Sequence, residues 1–138
     1  MKANELRIGN LVNVEYKGKI LLAEVCLIDH ESSISSTFDR QADLVNGMIC
    51  HPKDLIPIQL TEDRLLKMGF NVKESIWYSK KTSIRWVRFE VCIKEKRCIL
   101  FNSKSINFCD MQFPKYVHHL QNLYFTLTGD ELTLIEKP

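Results

Sequence analysis

The sequence predicts an α+β protein. A small SH3-like or barrel-like β portion comes first, followed by a helix, an antiparallel meander and a C-terminal helix. Short apolar–polar alternations separated by turn-forming residues run through the first 60 residues, which is typical of a small barrel or curled sheet. Two helical patterns then flank a second set of alternating strands, which favours α+β over a parallel α/β fold.

The first strands are predicted around a tight turn. Residues 12–16 alternate apolar and polar side chains, and Lys17-Gly18 fits a two-residue hairpin turn because glycine accepts a positive φ. Residues 19–28 form a more continuously apolar strand. Further short strands are predicted at 34–38, 48–50 and 55–60.

Residues 61–70 predict a two-turn helix. Thr61 can cap its N-terminus, and Gly69 can be the left-handed residue that ends it. The helix marks the predicted boundary between two subdomains that share one core, a β-barrel-like subdomain over residues 1–60 and a helix–meander–helix subdomain over residues 61–138.

A meander and a second helix are predicted to follow. The candidate strands are residues 70–78, 83–93, 97–101 and 105–108. Alternation in the second of them predicts Phe89 and Val91 on one face, with Trp86 and Arg88 on the other. The second helix is predicted over residues 116–128, and its buried stripe is Val117, Leu120, Leu123, Tyr124 and Leu127. A closing strand is predicted at 131–135.

The charge is unevenly distributed. The 138 residues are 45% hydrophobic and 26% charged with a net charge of +2, which excludes a disordered tail, a fibrous repeat and a generic polycation. Residues 75–104, however, carry eight basic and two acidic side chains, whereas the segments on both sides are net acidic. The chain therefore has a basic middle.

The apolar runs and the cysteines indicate the cellular compartment of the protein. No purely apolar run exceeds four residues, whereas a membrane helix needs about 20. The first residues lead into no apolar stretch, so no secretory signal is expected. The five cysteines are odd in number and have no C-x-x-C spacing, which argues against a disulfide framework. A cytoplasmic protein without membrane contact is predicted.

Three segments carry a resemblance: residues 4–10 (NELRIGN), 61–70 (TEDRLLKMGF) and 116–129 (YVHHLQNLYFTLTG). Together they resemble a family of short uncharacterised proteins common in gut Bacteroidetes and in their phages and mobile elements. The resemblance implies a phage- or mobile-element-related accessory protein. That family has no established activity, so no functional residue transfers from it.

The basic middle is the predicted functional surface. Nucleic-acid surfaces need cations, which displace phosphate counterions, and aromatic rings, which stack on exposed bases. The sequence therefore predicts a non-enzymatic binding module that engages nucleic acid through a basic and aromatic sheet. The candidate residues are Trp77, Tyr78, Lys80, Lys81, Arg85, Trp86 and Arg88. The alternative is a solvated face whose rings are covered by Lys and Arg stems.

The second helix offers another candidate surface. His118, Gln121, Asn122 and Phe125 follow helical spacing and lie off the predicted buried stripe. This polar stripe with one aromatic residue suits a protein partner or a second copy of the chain, which is the runner-up function of an accessory factor or inhibitor. The alternative is a solvent face with Phe125 packed on the final strand.

A Cys/His enzyme is the third hypothesis. Cys109 could be a nucleophile with His118 as its base and Asn122 orienting that base. Adjacent histidines on a helix point about 100° apart, so only one of His118 and His119 is expected to face a site. Common catalytic motifs are absent, and no catalytic residue is predicted.

The first half of the chain contains a candidate set of metal ligands. His30 and Cys50-His51 offer ligand types but no recurring metal-ligand spacing. Glycine is scarce, and no phosphate-binding loop is present. The sequence therefore predicts neither a metal ion nor a cofactor.

Overall fold

The structure is a computed structural model that describes residues 5–28, 34–38, 48–50 and 54–135. The chain divides into two compact units. The first comprises residues 1–59 and 116–122, and the second comprises residues 60–115 and 123–138. Two antiparallel sheets and two helices confirm the α+β class. The SH3-like arrangement and the shared core stay predictions. Neither helix in the described ranges has the length and apolar character needed to cross a bilayer.

The first unit contains a five-stranded antiparallel sheet with strand order β4-β3-β2-β1-β5. Its strands are β1 Leu11–Tyr16, β2 Lys19–Ile28, β3 Ile34–Phe38, β4 Met48–Cys50 and β5 Leu55–Ile56. Lys17 and Gly18 have φ values of 50° and 73°, which confirms the two-residue turn between β1 and β2. The buried apolar core of this unit is Leu6, Val12, Val14, Ala23, Val25 and Leu55.

The second unit begins with a short helix whose two ends are capped as predicted. Helix α1 spans Glu62–Lys67, and the Thr61 side chain accepts the backbone N–H of Arg64. Gly69, at φ 80°, donates its N–H to Leu66 O, and Phe70 N–H donates to Leu65 O, both at 3.0 Å. This pair of bonds is the Schellman arrangement, which satisfies carbonyls that the helix end leaves open.

A five-stranded antiparallel meander follows in sequence order. Its strands are β6 Asn71–Lys73, β7 Trp77–Lys81, β8 Val87–Cys92, β9 Arg97–Asn102 and β10 Asn107–Met111. One face of this sheet is the core of the unit. On it, Phe89 is 0% exposed and its ring lies 6.4 Å from Phe70 and 5.5 Å from Tyr124. Val91, two residues along β8 and therefore on the same face as predicted, is also fully buried.

The C-terminal helix α2 spans Val117–Thr128, so its first half belongs to the first unit and its second half to the second. The predicted helix is confirmed to within one residue. The predicted stripe is only partly buried, because Leu123 and Leu127 keep intermediate exposure. Gly129, at φ 76°, follows the end of the helix, and its N–H donates to Phe125 O at 2.8 Å.

The predicted strands at residues 70–78 and 131–135 were wrong. The predicted strand 70–78 is divided into β6 and β7 by a turn in which Glu74 and Ser75 have φ values of 52° and 64°. Neither residue commonly adopts a positive φ, so the sequence pattern conceals this turn. No strand forms at 131–135, where the N–H of Ile135 instead donates to Lys67 O at 2.7 Å.

Replacement of Gly69 by alanine tests the end of α1. A Cβ at this position would lie 2.7 Å from both Ile135 Cδ1 and Lys80 Nζ. Relief requires Lys80 to leave the carbonyl of Met68, to which its Nζ donates at 2.9 Å. Gly69→Ala should therefore lower the free energy of unfolding by about 1–2 kcal/mol of left-handed strain and about 1 kcal/mol for the lost bond, measured by urea denaturation.

Gly129→Ala is the matched control. Its φ is also positive, but nothing lies within 4 Å of the added Cβ. In this variant, the free energy of unfolding should fall only by the amount of the backbone strain. Equal losses for the two variants would contradict the close approach of Lys80 and Ile135 to Gly69.

Candidate nucleic-acid interface

The second unit's sheet places charged and aromatic side chains in one row. Residues paired directly across antiparallel strands point to the same face. Lys81 pairs with Arg88, Arg88 with Phe101, and Phe101 with Phe108. These four residues lie on the face opposite Phe89, and we call them the cation–aromatic row.

The row combines a cation–π contact with exposed groups at both ends. The guanidinium carbon of Arg88 lies 5.1 Å from the centroid of the Phe101 ring. Lys81 is exposed at one end, and Phe108 is 59% exposed at the other. A planar, weakly hydrated guanidinium over a ring is suited to contact both a base and a phosphate.

A buried carboxylate positions two cations beside this row. Glu90 is 4% exposed, and its Oε1 lies 2.9 Å from Lys73 Nζ and 3.6 Å from Arg88 Nε. Lys73 Nζ also lies 5.6 Å from the Phe101 ring. Because Glu90 offsets part of the charge of Lys73 and Arg88, the exposed Lys81 carries the less compensated charge of the row.

Trp86 lies beside the row but not on the strand. It precedes β8 at φ 70° and is 52% exposed, so the prediction that it shares a strand face with Arg88 was wrong. Its carbonyl accepts the N–H of Ser103 at 2.8 Å and the Ser103 hydroxyl at 3.0 Å. The guanidinium carbon of Arg85 lies 4.9 Å from the Trp86 ring. These bonds hold an exposed ring and a cation at the end of the sheet where β7 stops and β8 starts.

Two of the predicted interface residues belong to the opposite face. Tyr78 is 5% exposed, and its pKa is raised by burial and by a hydrogen bond to the carboxylate of Glu62. Lys80 donates to Met68 O at 2.9 Å, and burial lowers the pKa of its ammonium group. Alternation along β7 points both side chains away from the cation–aromatic row. They stabilise the unit and are not available to a ligand on that row.

Phe101 and Phe108 were missed by the sequence analysis, because the strand register that places them in the row is not visible in the sequence. The turn between β8 and β9 covers residues 93–96, and Cys92 pairs with Arg97 across it. That pairing fixes the register and places Phe101 opposite Arg88. Trp77 is half-buried on the same face, with the Arg97 guanidinium carbon 5.6 Å from its ring.

The chain has no match among protein-family models, curated proteins or solved structures. The function of the site is therefore inferred from its geometry.

The stripe on α2 that was predicted to bind a partner instead contacts the chain's own N-terminal segment. Gln121 is 1% exposed; its Oε1 accepts the N–H of Leu11 at 2.8 Å, and its Nε2 donates to Gly9 O at 3.1 Å. Asn122 donates to Glu5 O at 2.8 Å. Buried backbone groups need such partners, so the amides of Gln121 and Asn122 are structural.

The other two members of the stripe differ in exposure. His118 is 0% exposed, and Phe125 has intermediate exposure. Burial, together with the neighbouring charge of His119, lowers the pKa of His118 to about 4. Neither ring nitrogen of His118 has a hydrogen-bond partner among the described residues. An unsatisfied buried polar group of this kind costs about 1–3 kcal/mol, so the side chain is not ordinary core filling.

The remaining hypotheses involve Cys109 with His118, and His30 with Cys50-His51. Cys109 is exposed on β10 in the second unit, with its Sγ 3.7 Å from Asp110 O, whereas His118 belongs to the first unit. His30 and His51 lie outside the described residues. No disulfide joins the cysteines in the described part of the chain.

Gln121→Met tests the structural role of the stripe. Methionine has a similar volume but leaves Leu11 N–H and Gly9 C=O without the amide partner. The free energy of unfolding should fall by about 2–4 kcal/mol, because each unpaired buried group costs about 1–3 kcal/mol. Urea denaturation of this variant and of Gln112→Met, at an exposed position, gives the comparison. Similar small losses for both variants would assign no structural role to Gln121.

Proposed function

We propose that the protein is a non-enzymatic module that binds single-stranded nucleic acid at the end of the second unit's sheet. The observation that carries this proposal is Trp86, which is 52% exposed and held by a fixed turn with Arg85 4.9 Å from its ring. An exposed indole with a stacked guanidinium beside a sheet-end lysine combines a stacking platform with phosphate-binding charge.

The binding mode follows from the positions of rings and cations. One base stacks on Trp86, and a second stacks on the exposed ring of Phe108. Lys81 and Arg85, both exposed, supply the positive charge for phosphates near Trp86. Stacking needs bases whose faces are open, which favours a single strand over a duplex. Contacts of this kind discriminate little among base sequences.

The double variant Lys81→Ala and Arg85→Ala tests whether the positive charge at this end of the sheet contributes to nucleic-acid binding. Each cation that contacts a phosphate releases counterions when the strand binds. Loss of both should reduce the slope of log K against log salt by about 1.4 for a single strand and weaken binding at low salt. Fluorescence anisotropy with a labelled oligonucleotide, measured over a salt series, gives this slope.

Lys94→Ala combined with Lys96→Ala is the control with the same change in charge. Both residues are exposed in the turn at the opposite end of β8. This variant should keep most of the affinity and the slope. If the two pairs reduce binding equally, the interaction depends on net charge and the localised interface is refuted.

Stacking is tested by Trp86→Ala. Loss of one stacked base costs about 1–3 kcal/mol, which corresponds to a 5- to 150-fold weaker affinity for single-stranded DNA. The protein should also lose the tryptophan fluorescence quenching that a stacked base causes. Val72→Ala, at a side chain 56% exposed on β6, is the control and should bind normally. Unchanged affinity in Trp86→Ala, or tighter binding of duplex than of single strand, would overturn the proposal.

A further inference from the structure

Three potential metal ligands converge in the first unit. The ligand atoms of Glu5, His118 and His119 all lie within 4.8 Å of one another. The two imidazole rings have centroids 4.3 Å apart and are inclined by 67°. The cluster belongs to the first unit, whereas the residues of the proposed nucleic-acid interface belong to the second.

The position of the histidines at the start of α2 explains why they meet. Side chains on a helix lean toward its N-terminus, so rings in the first turn project past the helix start. Adjacent histidines were expected to diverge around the helix axis, but here both rings reach the same space. Asn122, one turn after His118, donates to Glu5 O at 2.8 Å and places the third residue there.

The state of His118 is an independent observation that points to a ligand. Its side chain is 0% exposed, and neither ring nitrogen has a hydrogen-bond partner in the described ranges. The ring is stacked on Tyr116, with centroids 5.7 Å apart and planes inclined by 6°. A buried imidazole held in one orientation with an unused lone pair is what a bound cation requires.

We propose that Glu5, His118 and His119 form a binding site for a first-row divalent metal ion of the Zn²⁺ type. Two imidazoles and a carboxylate are a recurring zinc donor set, in which a water molecule takes the fourth position. Tetrahedral bonds of about 2.0–2.1 Å separate ligand atoms by about 3.4 Å, which lies within the 4.8 Å limit of the cluster. His119 and Glu5 are only partly buried.

The charge balance requires the carboxylate. The N-terminus of α2 carries a partial positive charge that opposes a bound cation, and the two histidines are neutral ligands. Glu5 supplies the negative charge that offsets the partial positive charge of the helix N-terminus. Replacement of Glu5 by its amide should therefore weaken metal binding even though an oxygen remains.

Cobalt titration of the whole protein, stripped of metal by a chelator, tests the site. Co²⁺ should bind with one ion per chain and give visible d–d absorption without a sulfur-to-cobalt charge-transfer band, and Zn²⁺ should displace it. Loss of an outer-shell partner weakens metal binding by about 10- to 100-fold. Glu5→Gln and His119→Gln each remove a direct ligand, so each should weaken binding by at least that factor. These two variants decide the test, because replacement of the buried His118 can unfold the unit.

His30→Gln combined with His51→Gln is the control, and it should bind Co²⁺ like the original protein. Circular dichroism of each variant confirms that the fold is kept. The proposal is overturned if Co²⁺ does not bind, if binding survives in His119→Gln, or if it is lost in the control pair. A sulfur-to-cobalt band would likewise overturn it, because the ion would then be held by cysteines.

Discussion

The first unit depends on side-chain amides that satisfy the backbone of the N-terminal segment. Gln121 bonds Leu11 N–H across 110 positions of sequence, and Asn122 bonds Glu5 O across 117. Asn10 completes the set by donating from Nδ2 to Asn122 Oδ1 at 2.9 Å. A segment with irregular backbone can be buried only if its N–H and C=O groups find partners, and α2 provides them.

This arrangement also decides what His118 can do. The first half of α2 turns its polar stripe inward, so His118 is buried beside His119 and close to Glu5. The same amide bonds that stabilise the segment therefore assemble three potential metal ligands from opposite ends of the chain. A stripe that has the spacing of a partner-binding face is used within the chain instead, and the exposed functional candidates are those of the second unit.

Local chemistry predicted much of the fold and part of the interface. Thr61 and Gly69 bound α1 as expected, because capping depends on residues close in sequence. Within β7, Lys81 reaches the cation–aromatic row, whereas Lys80 caps α1 and Tyr78 is buried. The predicted strand ended at residue 78, but β7 continues to Lys81, and strand geometry sends alternate residues to opposite faces.

The sequence by itself determined the α+β class, the tight turn at Lys17-Gly18, both helices and the basic middle of the chain. Each of these depends on neighbouring residues or on composition. Tertiary structure alone decided that Phe101 lies against Arg88, that the polar stripe of α2 faces inward and that Glu5 meets the two histidines. Periodicity separates two faces of a helix or strand, but only packing and strand register determine which face is covered and which distant residues meet.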